Sequence, residues 1–416
     1  MQVFVNTCRA CLLLACISFQ LTTVSSQSRD NISYAWAIYE LPNVQYDWPN
    51  TSEKARAIRN GEYIVENNII TGIKVHMDTI YVTVPRWRPG VPSTLNVLGE
   101  DGVLRPFPSW AMNTLGDCGS LQYVQSMEVD PNTGRMWIID TGRVDTRAAG
   151  LSPRNLCPPK LVILDITTKK IERVYEFPDN VVSHTSNFMN DIVLDYVDGE
   201  ARFAYISDTS DAKIYVYDFE RNASYYYQDI TMNAQRLIPG VQDGLLSAPV
   251  DGIAMSADFA YVYYCTLTSI ELYAIPTHTL RRPGANFSAD IIHVGQKAGG
   301  SDGMVCGQTS LFYAVFERNA VFKAHSELEG QSISLKTQNE VISDQESVKW
   351  VDTFAFNGTD LWFVANKLNL FASNQLNFNG SQSNMYIWRL EVGEHGYLWR
   401  ARERTLNHKV PLVIVG

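Results

Sequence analysis

The chain has 416 residues, with 44 acidic against 34 basic side chains and a formal charge of −10, which disfavours nucleic acid and anionic membranes as partners and tolerates cationic ligands. Charged residues make up 19% and apolar residues 45%, the balance of a chain that buries a core rather than a disordered or fibrous one. Beyond residue 26 no stretch is apolar for long enough to span a bilayer.

Residues 1–26 carry one charge, Arg9, ahead of the mostly apolar run Ala10–Leu21, and Val24-Ser25-Ser26 supplies small residues before Gln27. That is the pattern of a secretory signal peptide. Its removal would leave residues 27–416 as a single domain, one unit more negative, without Cys8, Cys11 and Cys16. The remaining Cys118, Cys157, Cys265 and Cys306 are an even set in an exported chain and predict two disulfides among three connectivities. Cys118–Cys157 and Cys265–Cys306 are favoured, because each pair brackets one repeat and closes a short loop; four free buried thiols are the alternative. There is no C-x-x-C for zinc or redox work. N-x-[ST] sequons at Asn31, Asn50, Asn222, Asn286, Asn357 and Asn379 predict glycosylated surface positions, with Asn222 and Asn357 in turn-like contexts.

The apolar island Tyr34–Leu41 reads as a strand that pairs into the last repeat, and Glu53–Arg59 as a short charged helix. Pro85–Leu95 holds too much Pro and Gly for a strand interior and reads as a loop. The organising unit is Ser126–Asp130, a Pro131-Asn132-Thr133-Gly134 turn, and the apolar run Met136–Asp140. Similar pairs of runs begin at Asn190, Asp251, Asp302 and Asp352, and a weaker one lies ahead at Gly72. Lys160–Thr167, Ile214–Phe219, Ile270–Ile275, Ala320–Ala324 and Met385–Leu390 follow as third strands; Val174–Phe177 and the triple Tyr225-Tyr226-Tyr227 read as outer strands. Six copies at roughly 50–65-residue spacing predict an all-β, six-bladed β-propeller with four-stranded antiparallel blades around a central channel.

Val84-Pro85-Arg86-Trp87-Arg88-Pro89-Gly90-Val91-Pro92, Trp137-Ile138-Ile139-Asp140-Thr141-Gly142-Arg143, Pro158-Pro159-Lys160-Leu161, Tyr217-Asp218-Phe219, Leu361-Trp362-Phe363-Val364-Ala365-Asn366 and Met385-Tyr386-Ile387-Trp388-Arg389 resemble, in collinear order, the signatures of the yellow / major royal jelly protein family. The resemblance implies a secreted six-bladed propeller. It leaves function divided: some members act in melanin chemistry and are described as dopachrome-converting, some salivary members bind biogenic amines, and others are nutritive or structural. Against the amine-binding members, Thr353 and Asn366 match, whereas Leu368 stands where those members have an aromatic.

Propeller geometry brings first-strand starts and second-strand ends to one mouth. The starts supply Asp191, Asp251, Asp302 and Asp352, with Glu128 slightly inside; the ends supply Asp140, Asp208, Glu317, Asn366 and the neutral Thr266. Asp140, Asp191, Asp208, Asp302, Asp352, Thr353 and Asn366 are the candidate ligand-binding residues. Carboxylates beside aromatic rings suit a protonated aromatic amine or a catechol, through charge pairing and stacking. Such aspartates also serve structure, by accepting backbone N–H groups, and Asp251 and Asp302, each followed by glycine, fit that role best. A desolvated carboxylate with a raised pKa could be the base of a dopachrome-type tautomerisation, so an isomerase is the enzymatic reading, with no particular base singled out. The scattered histidines, with no H-E-x-x-H or Ser-His-Asp order, point to no cofactor. A metal-dependent hydrolase would need Glu128, Asp191, Asp251 and Asp302 to converge on an ion such as Ca²⁺, which spacing does not show, so no metal is assigned. A non-catalytic matrix or nutritive glycoprotein is the remaining alternative. Arg86, Trp87 and Arg143 read as structural loop anchors.

Overall fold

Strand runs such as Arg135–Asp140 and Tyr261–Thr266 are apolar on both faces, and every residue after the first is buried, as neighbouring sheets stacked on either side require. The computed structural model describes residues 35–234, 248–326, 333–380 and 382–407; the expected signal peptide and Asn31 lie outside them. Within them the strands form six four-stranded antiparallel sheets. Their innermost strands are Ile73–His76, Val124–Asp130, Met189–Val197, Val250–Met255, Met304–Cys306 and Val351–Asn357, here blades I to VI. Each inner strand packs on the next, and that of blade I packs on those of blades II and VI, which closes the ring. This is the six-bladed β-propeller that the repeats predict.

Ring closure uses the first described strand. Ala35–Leu41 pairs antiparallel with Met385–Glu391 and is the outermost strand of blade VI, so residues from opposite ends of the chain complete one sheet. Thr51–Arg59 forms the expected helix, started by Asn50, whose Oδ1 accepts from Glu53 N at 2.9 Å. The Pro-rich loop is fixed by Arg86, which is 2% exposed and donates to the carbonyls of Val91, Pro92, Asn113, Leu121 and Gln122. Burial lowers its pKa to about 10, still far enough above neutrality to keep the charge. Its anchoring role is the one its sequence context implies.

One of the two expected disulfides is present. Cys118 and Cys157 are joined across a separation of 39 residues. Cys265 and Cys306 are free and buried instead. Cys265 Sγ lies level with Met304, since both would touch a Cβ added at Gly252 at 3.4 Å. Cys306 stands two residues further along that strand, roughly 6–7 Å away, and a disulfide needs Cβ atoms roughly 3.5–4.5 Å apart. Bracketing a repeat placed the two cysteines in adjacent blades without placing them at the same height.

Candidate functional site

The rim at which the inner strands begin, here the upper mouth, carries the acidic cluster. Asp251, Asp302 and Asp352 open the inner strands of blades IV, V and VI and are 5%, 6% and 4% exposed; Asp191, on blade III, is partly buried. Asp-Gly here does not mark a turn. A Cβ on Gly252 would fall 2.3 Å from Asp302 O, and one on Gly303 2.1 Å from Asp352 O. The glycines let adjacent inner strands approach until the aspartates meet.

Burial is the main reason that all four carboxyls are harder to ionise than usual. It raises Asp191 to about 6, against the lowering effect of Lys74. Asp302 is raised to about 7 by burial, while hydrogen bonds from Asp251 and from Trp350 favour its ionised form. Asp251 and Asp352 are raised well above the ordinary value, first by burial and then by repulsion from Asp302. Asn190 Nδ2 donates to Asp251 Oδ1 at 2.7 Å, and Asn366 Nδ2 to Asp352 Oδ2 at 2.7 Å. Thr353, 7% exposed, lies beside Asp352, its hydroxyl 3.4 Å from Oδ1. Among the described residues no lysine or arginine forms an ion pair with Asp191, Asp251, Asp302 or Asp352.

One buried aromatic ring contacts the cluster directly. Trp350 Nε1 donates to Asp302 Oδ2 at 2.7 Å, and the ring stacks on Phe316 with centroids 4.7 Å apart at 10°. Trp350 and Phe316 belong to the same buried cluster as Phe188, Tyr123 and Trp87. Arg147 lies 5.3 Å from both the Trp87 and Phe188 rings. Thr266 Oγ1, at the end of the second strand of blade IV and 1% exposed, has no hydrogen-bond partner. It is an unused polar group at the same mouth.

Not every expected ligand residue faces this cluster. Asp140 accepts from Gln122 N, Tyr123 N and Gly142 N at 2.8, 2.9 and 3.0 Å and sits 3.7 Å from Lys160 Nζ. Asp208 accepts from Phe188 N, Ser210 N and Asp211 N, and from the Tyr215 hydroxyl. Both are strand-end caps that tie a second strand to the segment entering the first, and the backbone takes up their oxygens. Glu317 does the same with Gly300 N at 3.0 Å. Asn366 occupies that position in blade VI; its Oδ1 accepts from Leu368 N while its Nδ2 reaches Asp352, so it serves both cap and mouth. Arg143 donates to Asn155 Oδ1 and Asn187 O and pairs with no mouth carboxylate. Asp251 is the mouth residue that sequence reasoning left to structure; its signal was Asp-Gly at the same place in two successive repeats.

Below the mouth the channel narrows to a cavity of about 20 Å³ lined by Asp191, Ile192, Ile253, Met304, Thr353 and Phe354, room for about one water. Its floor is polar. Lys74 Nζ lies 3.2 Å from Glu128 Oε2 and 3.2 Å from Phe354 O, and the Tyr397 hydroxyl donates to Glu128 Oε2 at 3.1 Å and accepts from Leu194 N at 3.0 Å. Tyr397 comes from a C-terminal segment that crosses the lower rim. Tyr397 N bonds Cys306 O, Asn132 Nδ2 bonds Leu398 O, and Arg404 donates to the carbonyls of Ala257, Tyr397 and Trp399.

Fold and site together define a six-bladed propeller with an acidic upper mouth and a lower rim crossed by its own C-terminal segment. The Major royal jelly protein family model matches residues 123–396, from the start of blade II into that segment, and the chain belongs to this family. It is 26% identical over 390 residues to Protein yellow of Drosophila melanogaster, covering 85% of this chain and 70% of that protein. To Protein yellow of Drosophila madeirensis it is 25% identical over 403 residues, covering 90% and 69%. Among solved structures it is similar to a gluconolactonase from Xanthomonas campestris, with 12% identity and a TM-score of 0.47 over 86% of this chain and 89% of that one. No helix among the described residues is long and apolar enough to cross a membrane.

Proposed function

We propose that this is a secreted, glycosylated yellow-type protein that binds a small aromatic amine or catechol, of the kind used in pigment chemistry, at the upper mouth. The observation that carries the reading is the cluster Asp191, Asp251, Asp302 and Asp352, which has no basic ion-pair partner among the described residues and is touched by Trp350, stacked on Phe316, at Asp302. An ammonium group adds positive charge to carboxyls on which Lys74 and Arg147 act without forming ion pairs, and a ring packs beside Trp350. A catechol uses the same place differently, by donating its hydroxyls to the carboxylates. The aromatic group nearest the carboxylates is Trp350, backed by Phe316, rather than a residue at position 368. Export is supported by the Cys118–Cys157 disulfide. Of the described sequons, Asn50, Asn222, Asn286 and Asn379 are exposed and Asn357 is partly exposed, all open to modification.

Conversion is the second reading, favoured by the Asp251–Asp302 pair. A carboxyl raised to about 7 by burial can accept a carbon-bound proton near neutrality while its neighbour donates. Calorimetric titration with dopamine, serotonin and octopamine tests binding. Heat that is lost in an Asp352→Asn, Asn366→Ala double variant supports the mouth site; no heat from any of the three at millimolar concentrations sinks it. Dopachrome decay followed by absorbance then separates an isomerase from a carrier.

A further inference from the structure

We propose that the channel has a second small-molecule site at its lower end, for an uncharged planar ring compound bearing one hydrogen-bond acceptor, such as an aryl ketone. This does not rest on the amine reading of the mouth. A cavity of about 100 Å³ lies between the lower ends of the inner strands and the C-terminal segment. It is separated from the upper channel by the Lys74–Glu128–Tyr397 cluster, whose three side chains line both spaces. An enclosed apolar cavity that admits benzene measures roughly 150 Å³, so this smaller space takes only part of such a ligand, the rest lying outward where the half-buried Trp399 and exposed Gly358 open it to solvent.

The lining sets the ligand's chemistry. Val75, Val129, Val305 and Ala355 make the walls apolar, and Phe356 and Trp399 supply rings. Trp399 is partly exposed, held by stacking on His395 at 4.1 Å and 4°. Charge within the space is already balanced, because Lys74 pairs with Glu128, whose other oxygen accepts from Val129 N at 3.0 Å. An ionic ligand would leave one charge uncompensated in a partly desolvated site, so a neutral one is favoured. His76 also lines the space, and burial lowers its pKa, which keeps it neutral at pH 7. Of the three N–H groups on Lys74, two meet Glu128 and Phe354 O. In the proposed complex the third donates to the ligand's acceptor.

The test is fluorine NMR of the full chain with 4-fluoroacetophenone, a probe small enough that a dissociation constant on the order of a millimolar is expected. Binding should survive the Asp352→Asn, Asn366→Ala mouth variant and weaken about tenfold in Trp399→Ala, which loses an aromatic wall. Trp399 is partly exposed, so the variant should remain folded, and a thermal melt checks that it is. Fluorobenzene, with no carbonyl, should bind more weakly than the ketone. No line broadening at several millimolar overturns the site. So does binding that the mouth variant abolishes, or binding that Trp399→Ala leaves intact. Equal binding of fluorobenzene overturns the acceptor role given to Lys74.

Discussion

Asp251 and Asp302 interact across the boundary between blades IV and V: burial first and then the charge of Asp302 raise the pKa of Asp251, while Asp251 favours the ionised form of an Asp302 that burial raises. Such a pair holds one proton between two buried groups. An unfolded aspartate releases its proton near pH 4, whereas Asp191 holds on to about 6 and Asp302 to about 7. Between those limits the folded state binds more protons than the unfolded state, so the mouth's contribution to stability falls as pH rises. The ligand-free protein should therefore melt at a higher temperature at pH 5 than at pH 8. Asp302→Asn, which keeps an acceptor for Trp350, should flatten that dependence. A melting temperature that rises from pH 5 to pH 8 would count against the raised values.

The same protons shape ligand binding. An amine cation needs an ionised partner, and at pH 5 the mouth carboxyls are largely protonated. Amine affinity should rise between pH 5 and pH 8, by up to about tenfold per pH unit for each proton released. Calorimetry in two buffers of different ionisation enthalpy reads that release directly. A flat profile with no buffer dependence would mean that these carboxyls do not meet the amine.

What was legible in the sequence follows from how locally each feature is determined. Blade count, strand assignment and ring closure by Ala35–Leu41 rest on periodicity and turn chemistry, which each repeat carries in its own residues. The mouth was legible as a rim of polar side chains, because strand direction alone says which residues gather there. Which side of the backbone each carboxylate takes was not. Asp140 and Asp208 turn back to cap their own strands, while Asp251 and Asp302 meet across a blade boundary only because the chain packs close at Gly252 and Gly303. Cys265 and Cys306 fail as a disulfide for a related reason: the height of one blade against the next is a property of packing, not of spacing.

The Cys118–Cys157 bond closes a loop of 39 residues, and removing it with a Cys118→Ser, Cys157→Ser pair should cost about 2–4 kcal/mol. Denaturant titration of the two proteins measures the loss. Cys265 and Cys306 should react with a thiol reagent only after unfolding, since both are buried and burial raises the Cys306 pKa further. Two thiols titrating rapidly in the native protein would contradict their placement.

Arg86 offers a sharper test of the loop that borders the mouth. Its guanidinium meets five backbone carbonyls from three segments and is 2% exposed. Lysine keeps the charge but offers a compact ammonium in place of a planar fork. Arg86→Lys should therefore leave buried carbonyls unpaired and destabilise the protein by about 3 kcal/mol or more, read as a drop in denaturation midpoint. Recovery of wild-type stability with lysine would show that charge rather than geometry anchors the loop.

The close approach of the inner strands predicts a difference between glycines. A Cβ on Gly303 would sit 2.1 Å from the carbonyl oxygen of Asp352, a backbone atom that cannot turn aside. Gly303→Ala must push blade V away from blade VI, at a cost of about 1–3 kcal/mol or more, and that movement separates Asp302 from Asp352. At Gly119 the nearest atom is the end of the Asp117 side chain at 3.3 Å, which can swing into solvent. Gly119→Ala should be close to neutral. Melting temperatures and amine titrations of the two variants should therefore diverge, with stability and affinity both lost at Gly303 and neither lost at Gly119. If Gly303→Ala kept its stability but lost amine binding, the glycine would be serving the ligand directly and not the spacing of the strands.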